Sequence, residues 1–261
     1  MKNIQIKKLS SLIKPGTVIE LSEHLILCGD CRDKKLMDRY LKNKIINSIN
    51  SDIPYGISVV ESKKGFKQKL ANETVIQNDH IQSDEEYIKF NKDWIEIIKP
   101  YLATKNSIYI FNSDKMIFAL RESLKQTGIY FSQLLIWIKN SAVIGRKDYL
   151  PKHELIAYGW FGKHNFRKSK DKSVLFYPKP NKSPFHPTSK PVALIRHLIL
   201  NSTNIGETVC DPFLGGGTCL LACEQTKRKC IGVELEPIHC ASTIYRWEKL
   251  TGKKCKIINN N

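Results

Sequence analysis

The sequence predicts an α/β fold in which an open sheet is covered by helices on both faces. Three observations predict it. Short apolar runs of strand length alternate with amphipathic stretches of helix length along the chain. One strand, Thr208–Asp211, ends in an acidic residue, and three glycines then open a helix. The next strand, Cys230–Leu235, carries a second acid near its end, Glu234.

In chain order, strands are expected at Leu25–Cys28, Ile45–Ser51, Ser107–Asn112, Phe131–Ile138, Thr208–Asp211 and Cys230–Leu235. Helices are expected at Asp84–Leu102, Asp114–Thr127, Val192–Ser202 and Thr218–Thr226. Within the first of these, Tyr87, Phe90, Trp94, Ile97 and Ile98 recur at three- and four-residue intervals, so their aromatic stripe reads as packing and not as a cofactor box. Two stretches break the alternation. Residues 58–83 are polar and lysine-rich and read as a long mobile loop. Residues 145–187 are basic, rich in aromatics and prolines, and read as an inserted lobe without a large core of its own.

With 261 residues, 41% of them hydrophobic, the chain suits one large domain carrying an insertion. No apolar run approaches membrane-spanning length, and Met1-Lys2-Asn3-Ile4 begins no signal-peptide core, so a soluble, cytoplasmic protein is expected. Forty-two Lys and Arg against 25 Asp and Glu give a net charge of +17, which favours a polyanionic partner through counterion release. A lysine-rich surface reflecting genomic base composition is the alternative. Concentration of charge argues against it, because residues 139–190 hold 12 basic side chains and only 3 acidic ones.

Eight cysteines without a secretion signal read as free thiols. Cys28 and Cys31 have the C-x-x-C spacing of half a zinc site or a redox pair, and Cys219 and Cys223 fall one helical turn apart. No second C-x-x-C or histidine pair completes a set, so buried thiols are expected and no metal site.

The most informative segment is Val209-Cys210-Asp211-Pro212-Phe213-Leu214-Gly215-Gly216-Gly217-Thr218. Glycines permit positive φ and let a ligand approach the backbone, and the helix that follows turns its positive end toward that ligand. Glu234, at the end of the next strand, can accept both ribose hydroxyls of an adenosine-containing cofactor. No Gly-Lys-Ser/Thr follows the glycines, so this is not a nucleoside-triphosphate loop.

D-P-F-L-G-G-G-T resembles the cofactor-binding motif of the amino-methyltransferases of DNA, whose usual form is D-P-F-x-G-x-G-T. His186-Pro187-Thr188-Ser189-Lys190-Pro191 is similar to the H-P-T-x-K-P element of the same family, and Gly29-Asp30-Cys31 is similar to its G-D-C segment. Asp52-Ile53-Pro54-Tyr55 resembles the catalytic D-P-P-Y tetrapeptide, with Ile53 replacing the first proline. The order, with the catalytic segment first, then the basic stretch, then the two cofactor elements, is that of the family's beta group. Ile136–Asn140, Gly145–Tyr149, His153-Glu154 and Tyr158–Trp160 look like the corresponding run of restriction-modification and phage DNA methylases.

The resemblance implies a Rossmann-like S-adenosylmethionine-dependent methyltransferase fold with a mixed seven-stranded sheet and a small target-recognition lobe. It implies S-adenosylmethionine as cofactor, held by Asp30, Cys31, Thr188, Lys190, Asp211, Phe213, Gly215, Gly217, Thr218 and Glu234, with Thr188 and Lys190 facing the cofactor carboxylate. The catalytic set is Asp52, Ile53, Pro54 and Tyr55. Asp52 and the carbonyl of residue 53 would accept the N–H bonds of the target amino group, favouring pyramidal nitrogen and stabilising its developing charge, while Tyr55 would stack on a flipped base. Double-stranded DNA is the expected substrate, met by Arg146, Lys147, Tyr149, Lys152, Lys163, Arg167 and Lys168. A homodimer and a cognate restriction endonuclease are further candidate partners. Asp52 favours adenine; methylation of the cytosine amino group, an RNA substrate, and a catalytically impaired DNA-binding relative, suggested by Ile53, stay open.

Overall fold

A computed structural model describes residues 2–56, 82–142, 148–168, 170–179 and 190–258. Helix α1 (Lys2–Ser10) precedes β1 (Val18–Leu21), β2 (His24–Cys28), α2 (Lys34–Leu41) and β3 (Ile46–Asp52). There follow α3 (Asp84–Ile98), β4 (Leu102–Asn112), α4 (Ile117–Gln126), β5 (Tyr130–Ile138), β6 (His153–Trp160), β7 (Lys163–His164) and β8 (Val174–Phe176). The C-terminal part comprises α5 (Val192–Ser202), β9 (Thr208–Asp211), α6 (Thr218–Thr226), β10 (Lys229–Glu234), α7 (Pro237–Thr251) and β11 (Lys256–Ile258).

Seven strands form the centre of one sheet in the order β2-β10-β9-β3-β4-β6-β5. From β2 to β4 all neighbours are parallel; β6 runs antiparallel between β4 and β5. The expected mixed sheet of seven strands is therefore present, widened by β1 and β11 at one margin and by β8 at the other, with β7 added at the start of β4. The side chains of α2, α3 and α4 fill one core, and those of α1, α5, α6 and α7 fill the other, so helices cover both faces.

The chain leaves β3 through α3 to β4 on one side and leaves β9 through α6 to β10 on the other. Strands β9 and β3 are therefore the place where the winding direction reverses, and the crevice beyond their carboxyl ends is where open α/β sheets bind ligands. Asp211 and Asp52 end these two strands, and Glu234 and Cys28 end β10 and β2 beside them.

Local chemistry sets most boundaries. Helix α3 starts at a reciprocal capping box between Ser83 and Glu86, with three acids in its first turn, and buries Tyr87, Phe90, Trp94, Ile95 and Ile98. The sequence predicts this helix to continue to Leu102. It stops at Ile98 because Pro100 lacks an N–H, and a single 3₁₀ turn over Lys99–Tyr101 leads into β4.

The expected lobe over residues 145–187 does not stand apart from the sheet in its described part. His153–Trp160 is the antiparallel strand β6, with Ile156, Ala157 and Tyr158 in the core. Its glycine explains why it escaped the strand pattern. A Cβ on Gly159 would lie 2.0 Å from the carbonyl oxygen of Tyr130, where the register between β5 and β6 shifts. Of the expected loop at 58–83, only Gln82 and Ser83 lie within the described residues.

Seven of the eight thiols are buried. Cys28 and Cys31 enter different cores, on opposite faces of the sheet, so their spacing builds no shared site. Cys219, Cys223 and Cys230 converge between α6 and β10, with sulfurs within 4.8 Å of one another. Among the described residues, no helix is long and apolar enough to cross a membrane.

Candidate active site

Strand β3 delivers Asp52 to the crevice, and the next three residues are fixed one by one. The Ile53 side chain is 2% exposed and packs in the core beneath α3 and α4. The Pro54 carbonyl accepts the Tyr87 hydroxyl at 3.1 Å, and Asn112, at the end of β4, donates to that same hydroxyl at 2.9 Å. Tyr55 turns back so that its hydroxyl lies 3.0 Å from Asp52 Oδ1 and 3.1 Å from Glu154 Oε2.

Four charged groups meet here. Lys190 Nζ lies 2.6 Å from Asp52 Oδ2, 3.1 Å from Glu154 Oε2 and 3.3 Å from the Tyr55 hydroxyl. Lys139 Nζ binds the other oxygen of Glu154 at 2.7 Å. The Lys190 ammonium also stands over the rings of Phe111 and Tyr55, 5.3 and 5.5 Å from their centroids. Burial pushes the Asp52 carboxyl upward, against the pull of Lys190. Burial acts upward on Glu154 too, but Lys190 and Lys139 outweigh it and hold this carboxyl at about 2. Burial would neutralise Lys190, and the two carboxylates prevent it, raising its pKa.

The second half of the site lies across the β3–β9 boundary. Ser51 donates its hydroxyl to Asp211 Oδ1 at 2.7 Å, tying the two strand ends together, and the Phe213 amide donates to the same oxygen at 3.2 Å. Glu234 accepts the Gly215 amide at 2.7 Å and the Glu236 amide at 2.8 Å. Burial raises both Asp211 and Glu234 to about 7 despite these bonds. Gly217 caps α6 at φ +78°, and Thr218 begins the helix. A Cβ on Gly217 would meet the Thr243 side chain at 2.3 Å, so only glycine fits between α6 and α7. Phe213 packs on Phe90 and Trp94 at 5.7 and 5.8 Å, and Arg32, paired with Asp30 at 2.7 Å, covers the outer face of Phe90 at 5.3 Å. Burial acts upward on Asp30 and Arg32 outweighs it. Cys31 is buried below this cluster.

The predicted catalytic residues and the cofactor residues Asp30, Cys31, Asp211, Phe213, Gly215, Gly217, Thr218 and Glu234 thus fall along one edge of the sheet. Lys190 is there too, and its ammonium pairs with Asp52 and Glu154, which compensate its charge in a buried position. Thr188, Arg146 and Lys147 lie outside the described residues.

The predicted DNA contacts divide. Tyr149 is 91% exposed, and the Lys152 carbonyl accepts the Lys139 amide at 2.8 Å, which keeps both near the entrance to β6 and hence near Glu154. Lys163, Arg167 and Lys168 are not brought to the site. Lys163 pairs with Lys105, about six residues and roughly 20 Å back along β4 from Phe111, the partner of Asp52. The Arg167 amide donates to Asn201 at the foot of α5, its guanidinium to Asn204, and Lys168 follows it there. Antiparallel β6 carries the chain from the catalytic edge to the opposite one, so nearness in sequence is lost.

Sequence reasoning assigned no role to Glu154 or Lys139, which join Asp52 through Lys190 and Tyr55. The available signal was one of only three acids in a strongly basic stretch. Of the three acids between 139 and 190, Glu154 is clamped by two lysines and Asp171 by His197 and Asn201.

The chain is similar to known proteins in sequence and in fold. Residues 46–245 match the model of the N6/N4 methyltransferase family, described as a DNA methylase. The type II methyltransferase M.HpaI of Haemophilus parainfluenzae is 30% identical over 177 residues, covering 57% of this chain and 55% of that protein. M2.DpnII of Streptococcus pneumoniae is 27% identical, covering 60% of this chain and 66% of its own length. The chain thus spans between half and two thirds of these curated relatives. M2.LlaDCHI of Lactococcus lactis subsp. cremoris is 25% identical over 225 residues, or 77% and 81% of the two chains. Among solved structures, M1.HpyAVI in complex with SAM superposes with a TM-score of 0.63 at 25% identity, covering 85% of this chain and 98% of the other. The cytosine-N4-specific PvuII methyltransferase shares the fold, with a TM-score of 0.67 at 16% identity and coverage of 88% and 91%. With the family matched over more than half its length and the site residues gathered on one edge of the sheet, this chain belongs to the N6/N4 DNA methylase family.

Proposed function

We propose that the protein is a site-specific DNA methyltransferase that moves a methyl group from S-adenosylmethionine to the exocyclic amino group of adenine. The observation that carries this reading is the Ser51–Asp211 hydrogen bond, which locks the strand end bearing Asp52 to the strand end bearing the glycine loop. A methyl donor held by the loop and an amino acceptor held by Asp52 are then neighbours by construction.

The residues present fit S-adenosylmethionine. Glu234 suits ribose hydroxyls, Asp211 beside the glycine loop suits a cationic methionine end, and Phe213 with Asp30 and Arg32 borders a place for the adenine ring. The relative M1.HpyAVI was solved with this cofactor. Once bound, the cofactor supplies an electrophilic methyl group. Asp52 accepts one N–H of the target amino group and the Ile53 carbonyl the other, drawing the nitrogen lone pair out of conjugation with the ring. Tyr55 offers its ring to a base turned out of the duplex. Packing of Ile53 in the core supplies the rigidity that a proline ring at this position would give, which supports activity despite the replacement. Tyr149 and Lys152 are the DNA contacts that lie on the catalytic edge.

Adenine follows from the carboxylate at position 52, the residue type that accompanies adenine more often in this family, where serine accompanies cytosine. The direct test is transfer of labelled methyl groups to mixed-sequence duplex DNA, with RNA as competitor and Asp52→Ala as control. Incorporation into DNA that RNA does not suppress is the expected result. No incorporation into any DNA by the parent protein overturns the reading.

A further inference from the structure

Both oxygens of Asp52 are engaged, Oδ1 by the Tyr55 hydroxyl and Oδ2 by Lys190. A target amino group needs that carboxylate as its own acceptor, so these donors must yield. Breaking a buried ion pair without a substitute partner is costly, because each group is left desolvated and alone. The arrangement around Glu154 removes that difficulty.

Lys190 has three ammonium protons and three acceptors within reach, and one of them is Glu154 Oε2 at 3.1 Å. Tyr55 has a single hydroxyl proton and two acceptors at almost equal distance, Asp52 Oδ1 at 3.0 Å and the same Glu154 oxygen at 3.1 Å. Glu154 is itself immobilised from the other side. Lys139 binds its Oε1, the Lys139 backbone is tied to Lys152, and the β5–β6 register sets Trp137 opposite Glu154. Two carboxylates and two ammoniums make the cluster electrically neutral, and with Asp52 turned to a substrate, Lys190 still has a fixed counter-charge.

We propose that Glu154 is a positioning residue, the second acceptor that takes over the Tyr55 hydroxyl and the Lys190 ammonium when the amino group of the target base comes to Asp52. The inference rests on Asp52 being the acceptor for that amino group, and its test has one arm that needs no turnover.

In the first arm, the reactivity of Lys190 toward an amine-modifying reagent is read by mass spectrometry. Asp52→Asn leaves Lys190 near its parental protection, since Glu154 and Tyr55 still hold it. The double variant Asp52→Asn/Glu154→Gln raises its labelling roughly tenfold. Full exposure of Lys190 in Asp52→Asn alone overturns the proposal. In the second arm, Glu154→Gln lowers kcat roughly tenfold or more while KM for DNA and cofactor affinity hold. It also moves the acidic limb of the kcat profile to lower pH, because a negative charge beside Asp52 has gone. A parental kcat with an unmoved acidic limb overturns the proposal, and retained cofactor binding separates either result from misfolding. If the parent protein transfers no methyl group, the function assigned above fails, and the labelling arm alone decides the role of Glu154.

Discussion

Asp211 and Glu234 share one property from one cause: burial at the ends of adjacent strands raises both carboxyls to about 7. A raised acid holds its proton at a pH where an exposed carboxyl has lost it. With Glu234 as the proposed ribose acceptor, the hydroxyls donate best to its ionised form, so cofactor binding is expected to release a proton. Affinity therefore rises with pH below about 7, by up to about tenfold per unit for one linked proton, and levels off above it. Calorimetry across this range checks the slope, and Glu234→Gln binds weakly with a shallower profile, the remaining slope being that of Asp211. Asp52→Ala removes the proposed acceptor and lowers methyl transfer by about 10²–10³-fold while cofactor affinity stays close to parental, because none of the proposed cofactor-binding residues is altered. Parental transfer by this variant would remove Asp52 from the chemistry. These acids were legible in the sequence because each ends a strand beside glycines or a tyrosine. Glu154 was not, because its partners Lys139, Lys190 and Tyr55 are distant in sequence and meet only where β3, β4, β6 and β5 lie side by side, with Lys190 brought in just before α5.

At the scale of elements, the junction of β9, the glycine loop and α6 was read to the residue, since glycine and the acid-ended strand mark both boundaries. Helix α5 was equally clear, opened by Pro191 and closed where the apolar stripe ends. Strand β6 was not, because Gly159 and the basic residues around it concealed its apolar members. The glycine loop also carries a sharp prediction. Gly217→Ala meets both a left-handed dihedral and the Thr243 side chain, and costs about 1–3 kcal/mol with loss of cofactor affinity. Gly252→Ala, at φ +72° with open space around it, bears the dihedral cost alone, about 1 kcal/mol, and keeps cofactor affinity. Denaturant unfolding of the pair measures the difference. On the catalytic side, Ile53→Ala opens a cavity where the side chain anchors the segment after β3, and costs about 2–4 kcal/mol with a reduced kcat.

Across the whole molecule, the chain carries a net charge of +17, and the described part of its basic stretch is divided between the two ends of β6. Lys163, Arg167 and Lys168 occupy the edge away from Asp52, whereas Tyr149 and Lys152 border the entrance to the site. Composition revealed the charge but not its side, because β6 reverses direction within the basic stretch. Charge reversal of Lys163 and Lys168 together is expected to leave KM for DNA near parental at moderate salt, while Lys152→Glu raises it roughly tenfold through lost phosphate contact. Steady-state methylation at two salt concentrations distinguishes them.

The central claim is that Asp52 directs methyl transfer to the amino group of adenine. Digestion of duplex DNA to nucleosides after incubation with the protein and S-adenosylmethionine tests it most directly. The account predicts N6-methyladenine as the product, absent with Asp52→Ala; N4-methylcytosine as the sole methylated base would contradict it.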